Sequence, residues 1–575
     1  MICGSRSTRR IACTARPATS RIPRRTSTGW SPKAAAAPII RTCSLGLALL
    51  LAGAPLAYAA PDTGAPDPTA YVRARAADAE GAAQAAAAGY AEALAAAPDD
   101  EVVALRAYRQ ALAAGDYVLA SRAGAVLVKA GVAPPDAAVL AFAIALKSRD
   151  AAGARRAADL LSRGPFDFLA PSLRAWLAFD RGEDAVALLD AAPGDALARR
   201  YTQRHRMLLL IASKRTHEAM AAIAAELATN DSEDARIDAA TLLGETGARD
   251  SARQLLAGDR PEYERLRKRL GKRDKPDAAF GASRMFLELA VEIAGEDMES
   301  LSVVLTRAAL LLDPGEDRAR LFLAEALSRG GSHDLALGVL ADVNKDSPFV
   351  RGAAAGRVAV LRRAGRTDEA LALAETLAGG AQATSADSET YGDLLVDQGR
   401  FDLAAAAYGA AIAREGGEDN WLLHYLHGRA LDRAGRWSEA LPALRRAVAL
   451  GPDQASALKY LGYAQVARGE NIAEAQGLLE RARSLKPDDA EIADSLAWAW
   501  YQSGDVAKAL PLLERAVQGD PAAARANEHL GDAYWRLGRH YEARYAWRAA
   551  ALTAENDATA RLDAKLAHGL KPRPN

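Results

Sequence analysis

The amino-acid sequence predicts an all-α solenoid, a superhelix of about fourteen helix–turn–helix hairpins arranged in two arrays. The main observation is a period of about 34 residues, at which glycines and prolines recur near the C-terminus. These residues are Gly435, Gly469, Gly504 and Gly538, followed by Pro452, Pro487 and Pro521. Small, turn and proline residues in a fixed 34-residue phase are typical of stacked helical hairpins. One hairpin cannot bury its apolar face alone, but a stack of hairpins buries a continuous core.

Composition is the second observation, and it indicates a folded, multi-unit chain. Of 575 residues, half are apolar and a quarter are charged, with 73 basic and 73 acidic side chains. This composition excludes a disordered chain and a disulfide-rich miniprotein. Because the charge is balanced, the chain lacks the basic excess of a dedicated nucleic-acid binder. We therefore expect no nucleic-acid partner.

The N-terminal segment 1–59 predicts export. It contains nine basic residues and no acidic ones, then an apolar run from Ser44 that ends at Ala57-Tyr58-Ala59. A basic stretch, a short apolar core and a small-x-small end are the parts of a cleaved secretory signal. We expect a periplasmic protein with no membrane span after leader removal, and an organelle transit peptide is the alternative. All three cysteines lie in this leader, and the remaining chain carries a net charge of about −9.

The period divides the chain into predicted units. Hairpins are expected to begin near residues 67, 101, 135, 168, 200, 233, 283, 317, 351, 385, 421, 455, 490 and 524. The period breaks at a charged segment, 261–282, which we interpret as an insert or hinge. The predicted domains are therefore an N-terminal array at 67–260 and a C-terminal array at 283–557. Residues 558–575 are expected to form a capping helix and a tail.

The charged segment has two interpretations. It contains seven basic residues, namely Arg265, Arg267, Lys268, Arg269, Lys272, Arg273 and Lys275. They could contact an anionic polysaccharide, a lipid headgroup or an acidic segment. They could also form a solvated helix end balanced by Glu262 and Glu264, which is the more common role of charge runs.

The C-terminal units resemble the tetratricopeptide repeat. The unit that begins at Ala524 reads ARANEHLGDAYWRLGRHYEARYAWRAAALTAE. Leu530-Gly531 and Tyr534 match the first half of the repeat pattern, and Ala543 and Trp547 match the second half. The small residue lets the two helices approach closely, and proline at the end of the unit stops the second helix. The resemblance is strong across 421–557 and is clear again at 67–100.

Chemistry-bearing motifs are missing from the sequence. It contains no phosphate loop, no H-E-x-x-H and no nucleophile elbow, and no Cys-x-x-Cys occurs after the leader. His424 and His427 share a helical face, but two histidines without a carboxylate pattern are usually ordinary helix residues. We therefore predict a protein that is not an enzyme and that uses no metal or cofactor.

The tetratricopeptide resemblance implies a set of partner-binding residues. In this family the first helix of each pair lines a concave groove through its fifth, ninth and twelfth positions. In the last three units these positions, together with Tyr460 next to one of them, are occupied by Lys459, Tyr460, Tyr463, Asp494, Trp498, Tyr501, Glu528, Asp532 and Trp535. Tyr and Trp provide large contact area at low entropic cost, so these aromatic residues are suited to contact with a partner. An equally good alternative is that they pack against the adjacent repeat. Trp500, Tyr534 and Trp547 are expected to be structural.

Two longer stretches suggest a narrower kinship. The sequence from Gly462 to Ala516 and the stretch PFDFLAPSLRAWLAFDRGEDAVALLDA resemble a bacterial group of exported tetratricopeptide proteins. Some members are lipoprotein adaptors for a periplasmic protease and its cell-wall hydrolase substrates, but this chain lacks their lipid-carrying cysteine. The implied function is a non-catalytic scaffold or adaptor for protein or peptide partners in the cell envelope. The alternative is an envelope-assembly or polysaccharide-export scaffold component.

Overall fold

The computed structural model describes residues 68–575 except 193, 231, 272–275, 415 and 572–575, and it leaves the side chains of 230, 556 and 557 undescribed. The predicted leader, 1–59, and the end of the predicted tail lie outside the described residues. Within the described part, the structure contains thirty α-helices and one 3-10 turn, with a single isolated β-bridge and no strand. The predicted all-α class is confirmed.

Twelve helices precede the charged segment. They are α1 (Thr69–Ala79), α2 (Ala83–Ala96), α3 (Glu101–Ala114), α4 (Tyr117–Ala130), α5 (Ala137–Lys147), α6 (Ala151–Leu161), α7 (Ala170–Asp180), α8 (Ala185–Asp190), α9 (Ala196–Ala212), α10 (Thr216–Asn230), α11 (Glu233–Thr246) and α12 (Arg249–Leu255). The 3-10 turn, Asp167–Leu169, precedes α7. The charged segment itself begins with α13 (Pro261–Arg269).

Seventeen helices follow the charged segment. They are α14 (Ala278–Glu292), α15 (Glu299–Leu312), α16 (Asp317–Arg329), α17 (His333–Ala341), α18 (Val350–Arg363), α19 (Thr367–Ala378), α20 (Ser385–Asp397), α21 (Phe401–Ile412), α22 (Trp421–Arg433), α23 (Trp437–Leu450), α24 (Ala455–Arg468), α25 (Ile472–Leu485), α26 (Ala490–Gln502), α27 (Val506–Gly519), α28 (Ala524–Arg536), α29 (His540–Thr553) and α30 (Asn556–His568).

Consecutive helices pack as pairs, α1 with α2 through α11 with α12, and α14 with α15 through α28 with α29. We call the earlier helix of each pair the first helix and the later one the second helix. The predicted hairpin starts fall within five residues of the observed first helices, and the largest offsets are at α9 and α14. The number of true repeats and their division into two arrays stay predictions.

Local sequence explains where the helices end. Gly115 and Gly469 end α3 and α24 in the left-handed conformation, at φ of 84° and 70°, which costs glycine little because it has no Cβ. Asp100 caps α3 by accepting hydrogen bonds from the backbone amides of Val102 and Val103. Pro452 lies two residues after the end of α23, where it cannot extend the helix.

Close helix contacts account for the glycines of the Leu-Gly pairs. A Cβ added to Gly462 in α24 would lie 2.7 Å from Cγ of Leu479 in α25. A Cβ added to Gly531 in α28 would lie 2.4 Å from the Trp547 ring of α29. Helices α24 and α28 thus each approach their partner helix across a residue that has no side chain, which is the reason the sequence predicts for this position.

The N-terminal hairpins close around the hairpin that follows the charged segment. Helices α14 and α15 contact the first helices α3, α5, α7 and α9. The Arg307 guanidinium of α15 donates to the carbonyl oxygen of Leu112 at the end of α3, at 2.9 Å. The rings of Phe142 and Phe286 meet edge to face at 6.3 Å between α5 and α14. The face that the early first helices would offer to a partner is therefore occupied by the chain itself.

The hydrophobic core runs across the charged segment. One cluster of buried side chains extends from Ala74 to Val360 and includes residues on both sides of 261–282. Within α13, Lys268 pairs with Glu264, and the Arg265 guanidinium donates to the carbonyl oxygen of Ser347 at 3.0 Å. Over the described residues of the charge run, 261–271, the pair between Lys268 and Glu264 favours the solvated, internally balanced interpretation. No helix of the described residues is long and apolar enough to cross a membrane.

Candidate partner-binding groove

The candidate site is the face formed by the fifth, ninth and twelfth positions of first helices α22, α24, α26 and α28, which we call the groove face. Adjacent first helices along this face contact each other, as α24 does with α26 and α26 does with α28. Side chains at i, i+4 and i+7 share one side of a helix, so each helix contributes one row. The predicted partner-binding residues all lie on the last three of these helices.

Asp494 lies inside the solenoid instead of on the groove surface. It is almost completely buried, and it pairs with His529 Nδ1 at 2.7 Å and with Arg525 Nε at 3.1 Å. Burial alone would raise the pKa of Asp494, but His529 and Arg525 outweigh burial and hold the pKa below its ordinary value. This carboxylate joins α26 to α28, so it does not present a free charge to a partner.

Glu528 and Asp532 are also neutralised within the chain. Glu528 accepts from Arg561 Nε and Lys565 Nζ, each at 2.7 Å, and Lys565 reaches Asp532 at 2.7 Å as well. Burial opposes ionisation of Glu528, yet Arg561 and Lys565 lower its pKa to about 2. Since both cations belong to α30, the capping helix lies against the groove positions of α28. The three acidic residues of the predicted set are therefore held in ion pairs, Asp494 with α28 and the other two with the capping helix.

Trp535 is covered from the same direction. A Cβ on Gly569, just after α30, would lie 1.8 Å from the Trp535 ring, and the ring stacks on His540 with centroids 4.1 Å apart. Trp535 also belongs to a small core cluster with Trp547 and α30. The C-terminal end of the groove face is thus closed by the cap.

Trp498 is the most prominent aromatic that stays partly accessible. Its ring is stacked on two other rings within 9° of parallel, His529 at 3.8 Å and Tyr501 at 4.6 Å between centroids. Tyr501 is buried, and its hydroxyl accepts from Arg536 Nε at 3.3 Å. Of the predicted aromatic residues, Trp498 and Tyr501 therefore form a stack that packs α26 against α28 and leaves part of Trp498 accessible. Trp500 and Trp547 are buried, as the sequence predicts.

Two of the three groove positions of α24 carry partly exposed side chains. Tyr463 is partly exposed and lies under the Arg525 guanidinium, 4.6 Å from its carbon to the ring centroid. Lys459 forms an ion pair with Glu491 on α26. Tyr460 lies beside the row, and its hydroxyl donates to Asp432 Oδ2 at 2.8 Å.

Two residues that the sequence prediction missed extend the groove face onto α22. Tyr425 and Tyr460 meet edge to face at 5.9 Å, and the Arg429 guanidinium lies 5.3 and 5.4 Å from their ring centroids. Arg429 has no carboxylate within ion-pair distance among the described side chains, and its Nε makes no hydrogen bond. The 34-residue step back from Lys459 and Tyr463 leads to Tyr425 and Arg429, so the period could have identified them.

A small cavity lies beside Arg429. It has a volume of about 150 Å³ and is lined by Asp393, Tyr408, Arg429 and Arg433, among others. Tyr408 donates to Asp393 Oδ1 at 2.6 Å, and burial is the largest cause that raises the pKa of this tyrosine far above its ordinary value. Aromatic rings next to an unpaired guanidinium are suited to binding a peptide that carries acidic and apolar side chains.

Comparison with known proteins defines the class. The tetratricopeptide-repeat family model matches residues 391–455, 425–490, 461–523 and 495–560. No curated protein matches the chain significantly. The chain contains tetratricopeptide repeats between residues 391 and 560.

Solved structures that resemble the chain cover about a third of it. MamA from Desulfovibrio magneticus RS-1, residues 41 to the end, is 19% identical and covers 29% of this chain and 94% of its own, with a TM-score of 0.27. A second MamA structure is 24% identical over 33% of this chain and 98% of its own, with a TM-score of 0.26. A thermophilic tetratricopeptide-repeat protein from Thermus thermophilus, TTC0263, is 21% identical over 32% of this chain and 98% of its own, with a TM-score of 0.28.

Proposed function

We propose that this protein is a non-catalytic scaffold that binds a protein or peptide partner on the groove face of α22, α24 and α26, in the bacterial cell envelope. The observation that carries the proposal is the accessible row of Tyr425, Arg429, Tyr463 and Trp498. These residues offer aromatic surface and one unpaired guanidinium on successive first helices. Repeat proteins commonly use such extended concave surfaces for binding.

The position of this row favours the C-terminal half as the binding region. The corresponding face of the early first helices is filled by α14 and α15, and α30 covers the last row on α28. The open length therefore lies between these two closures. Among the predicted residues, the side chains that stay partly exposed are Lys459, Tyr460, Tyr463, Trp498 and Trp535, and the last of these lies under the end of α30.

The partner is expected to contain acidic and apolar side chains. Arg429 has no carboxylate within ion-pair distance among the described groups, whereas Arg525 is already paired with Asp494. An acidic group placed beside Arg429 would gain a charge-assisted hydrogen bond and lie against two tyrosine rings. A periplasmic protease or a cell-wall hydrolase is the partner class suggested by the kinship of the sequence.

Capture from an envelope extract tests the groove. The full chain and two variants, Arg429→Ala and Trp498→Ala, are immobilised, and captured proteins are identified by mass spectrometry. Trp437→Ala is the matched control, because Trp437 is a partly exposed tryptophan on the second helix α23. We expect both groove variants to lose partners that the control retains. Identical capture by all four proteins, with unchanged circular dichroism, would refute the groove.

Cell location is tested separately. The complete chain with a C-terminal tag is expressed in a bacterium, cells are fractionated, and the N-terminus of the product is sequenced. We expect a periplasmic product that begins near residue 60. A product that stays in the cytosol with an intact leader would contradict export without affecting the groove.

The alternative function, an envelope-assembly or polysaccharide-export scaffold, predicts a different ligand. Binding of the purified chain to a glycan array, lost on Trp498→Ala, together with no captured protein, would favour it over the protein-binding scaffold.

A further inference from the structure

The last second helix, α29, carries an exposed stripe that no other part of the fold covers among the described residues. Tyr541 is 71% exposed, Tyr545 is 54% exposed and Leu552 is 86% exposed, and Arg548 is exposed between them. We call these four residues the outer stripe. Large apolar and aromatic side chains that are contiguous and exposed commonly mark an interaction site.

The outer stripe points away from the groove face. Ala543, Trp547 and Ala550 form the opposite side of α29, and they are buried towards α28 and α30. Residues 541 and 545 are each two positions, or about 200°, from 543 and 547 around the helix. A partner on the outer stripe would therefore bind independently of the groove.

The preceding hairpins show that this stripe is particular to the last one. The positions 34 and 68 residues before Tyr541, Tyr545 and Leu552 carry small or polar residues that are also exposed, namely Ala507, Pro511 and Gln518 on α27 and Ala473, Gly477 and Ser484 on α25. The position of Arg548 is occupied by glutamates in the same two hairpins, Glu514 and Glu480. The last hairpin thus combines large apolar side chains with a reversal of charge.

The charge of the stripe is not neutralised by the described side chains. Neither Arg544 nor Arg548 has a described carboxylate within ion-pair distance, in contrast to Arg539, which pairs with Glu542. The Arg548 guanidinium lies 5.8 Å from the Tyr545 ring centroid, and the Tyr541 and Tyr545 hydroxyls are 3.0 Å apart. The surface is therefore aromatic and cationic, with a polar edge formed by two hydroxyl groups.

The spacing of the stripe matches a helix-packing seam. Residues 541, 545, 548 and 552 follow steps of four, three and four, which is the spacing of the d and a positions in a heptad pattern. From this geometry we propose that the outer stripe binds an acidic amphipathic helix of a partner protein, about three turns long. Apolar side chains of that helix pack between Tyr541, Tyr545 and Leu552, and its flanking carboxylates pair with Arg544 and Arg548.

Charge and polarity favour this occupant over two others. A two-fold dimer through the stripe would bring both copies of Arg544 and Arg548 into one contact in which the stripe supplies no carboxylate, and like charges brought together in this way are unfavourable. Binding to an anionic lipid surface typically uses clusters of four to eight basic residues. Two arginines beside paired hydroxyls instead suit a few carboxylates on a protein surface.

The test uses the full chain and a designed probe. The probe is a fluorescent helical peptide of about three heptads with Leu at positions a and d and Glu at positions e and g. A second peptide replaces every Glu by Lys. Affinity is measured by fluorescence anisotropy for wild type, Arg548→Glu, the double variant Tyr541→Ala/Tyr545→Ala, and the control Arg483→Glu. Arg483 is a partly exposed arginine on α25 with no ion pair among the described side chains.

We expect the acidic peptide to bind wild type and Arg483→Glu equally, and Arg548→Glu to weaken binding by at least about tenfold. The double tyrosine variant should weaken it as well, and the Lys peptide should not bind. No binding of the acidic peptide, or equal binding of the Lys peptide, would overturn the proposal. Two other results would also overturn the proposal. These are self-association of the wild-type chain, and its binding to anionic phospholipid vesicles, where Arg548→Glu abolishes the effect. Trp498→Ala should leave acidic-peptide binding unchanged, which separates this result from the groove.

Discussion

Glu288 on α14 predicts a pH dependence of folding stability that one substitution can isolate. Its side chain is one-tenth exposed and lines a cavity of about 220 Å³ between α9, α11, α14 and α16. Its Oε2 makes no hydrogen bond, and the nearest cationic atom to Oε1 is Arg204 Nη1 at 3.5 Å. His205 Nε2 lies 3.8 Å from Oε2, but burial lowers the pKa of His205 to about 3, so this imidazole stays neutral.

Burial raises the pKa of Glu288 from 4.5 to about 7, and the nearby Arg204 only partly opposes this effect. Because the folded state holds the proton more tightly than the unfolded state, stability falls as pH rises between these two values. Each pKa unit corresponds to about 1.4 kcal/mol, so the full loss is about 3 kcal/mol. Below pH 4.5 the carboxyl group is neutral in both states and the loss disappears.

Glu288→Gln removes this titration while preserving the shape of the side chain. We expect the variant to match wild type near pH 4.5 and to be more stable by about 3 kcal/mol at pH 8. The measurement is urea unfolding at several pH values, followed by circular dichroism. Glu480→Gln, at an exposed site on α25, is the matched control for this substitution. A variant that is less stable than wild type at pH 8 would refute the reasoning, because it would show that the ion pair with Arg204 outweighs burial.

Four further substitutions test the packing and one ion pair. Gly531→Ala places a methyl group 2.4 Å from the Trp547 ring and should cost about 2 kcal/mol in unfolding free energy, whereas Gly477→Ala, with open space around it, should stabilise α25 by up to about 1 kcal/mol. Arg307→Met removes hydrogen-bond donors to the end of α3 and should speed hydrogen exchange of the backbone amides there. Unchanged exchange would contradict the packing of α15 against α3. Because the pKa of Glu528 is lowered to about 2, Glu528→Gln should reduce the melting temperature at pH 6 but not near pH 2, and a constant difference would be inconsistent with this ion pair.

The repeat period predicts the helices well because it reflects contacts between neighbours in sequence. The glycine of each Leu-Gly pair and the proline after each second helix act within one hairpin, so residues such as Gly462 and Pro452 fix local geometry. The largest errors in the predicted starts occur at α9 and α14. These two helices pack against distant parts of the chain as well as against their own partner helices.

The groove carboxylates show why the site was harder to predict than the fold. The period correctly places Glu528 and Asp532 on one face of α28, but it does not reveal what the next helix brings to that face. Lys565 follows Asp532 by 33 residues and lies in a helix without the repeat pattern, yet it neutralises both carboxylates. The spacing of residues along α28 decides which side chains lie on its groove face. Whether those side chains are exposed depends on the sequence of the next helix, α30.

Closure of the N-terminal half gives a physical reason for the uneven repeat pattern. When α14 and α15 pack against the early first helices, the residues on that face become core residues, such as Phe142 and Trp176. Core packing selects for shape and volume at those positions, whereas an open groove requires only solubility and partner contacts. The family model matches repeats at 391–560, beyond the early hairpins that pack against α14 and α15. The same argument supports the proposal that a partner binds in the C-terminal half, because the first helices α3, α5, α7 and α9 are already covered by α14 and α15.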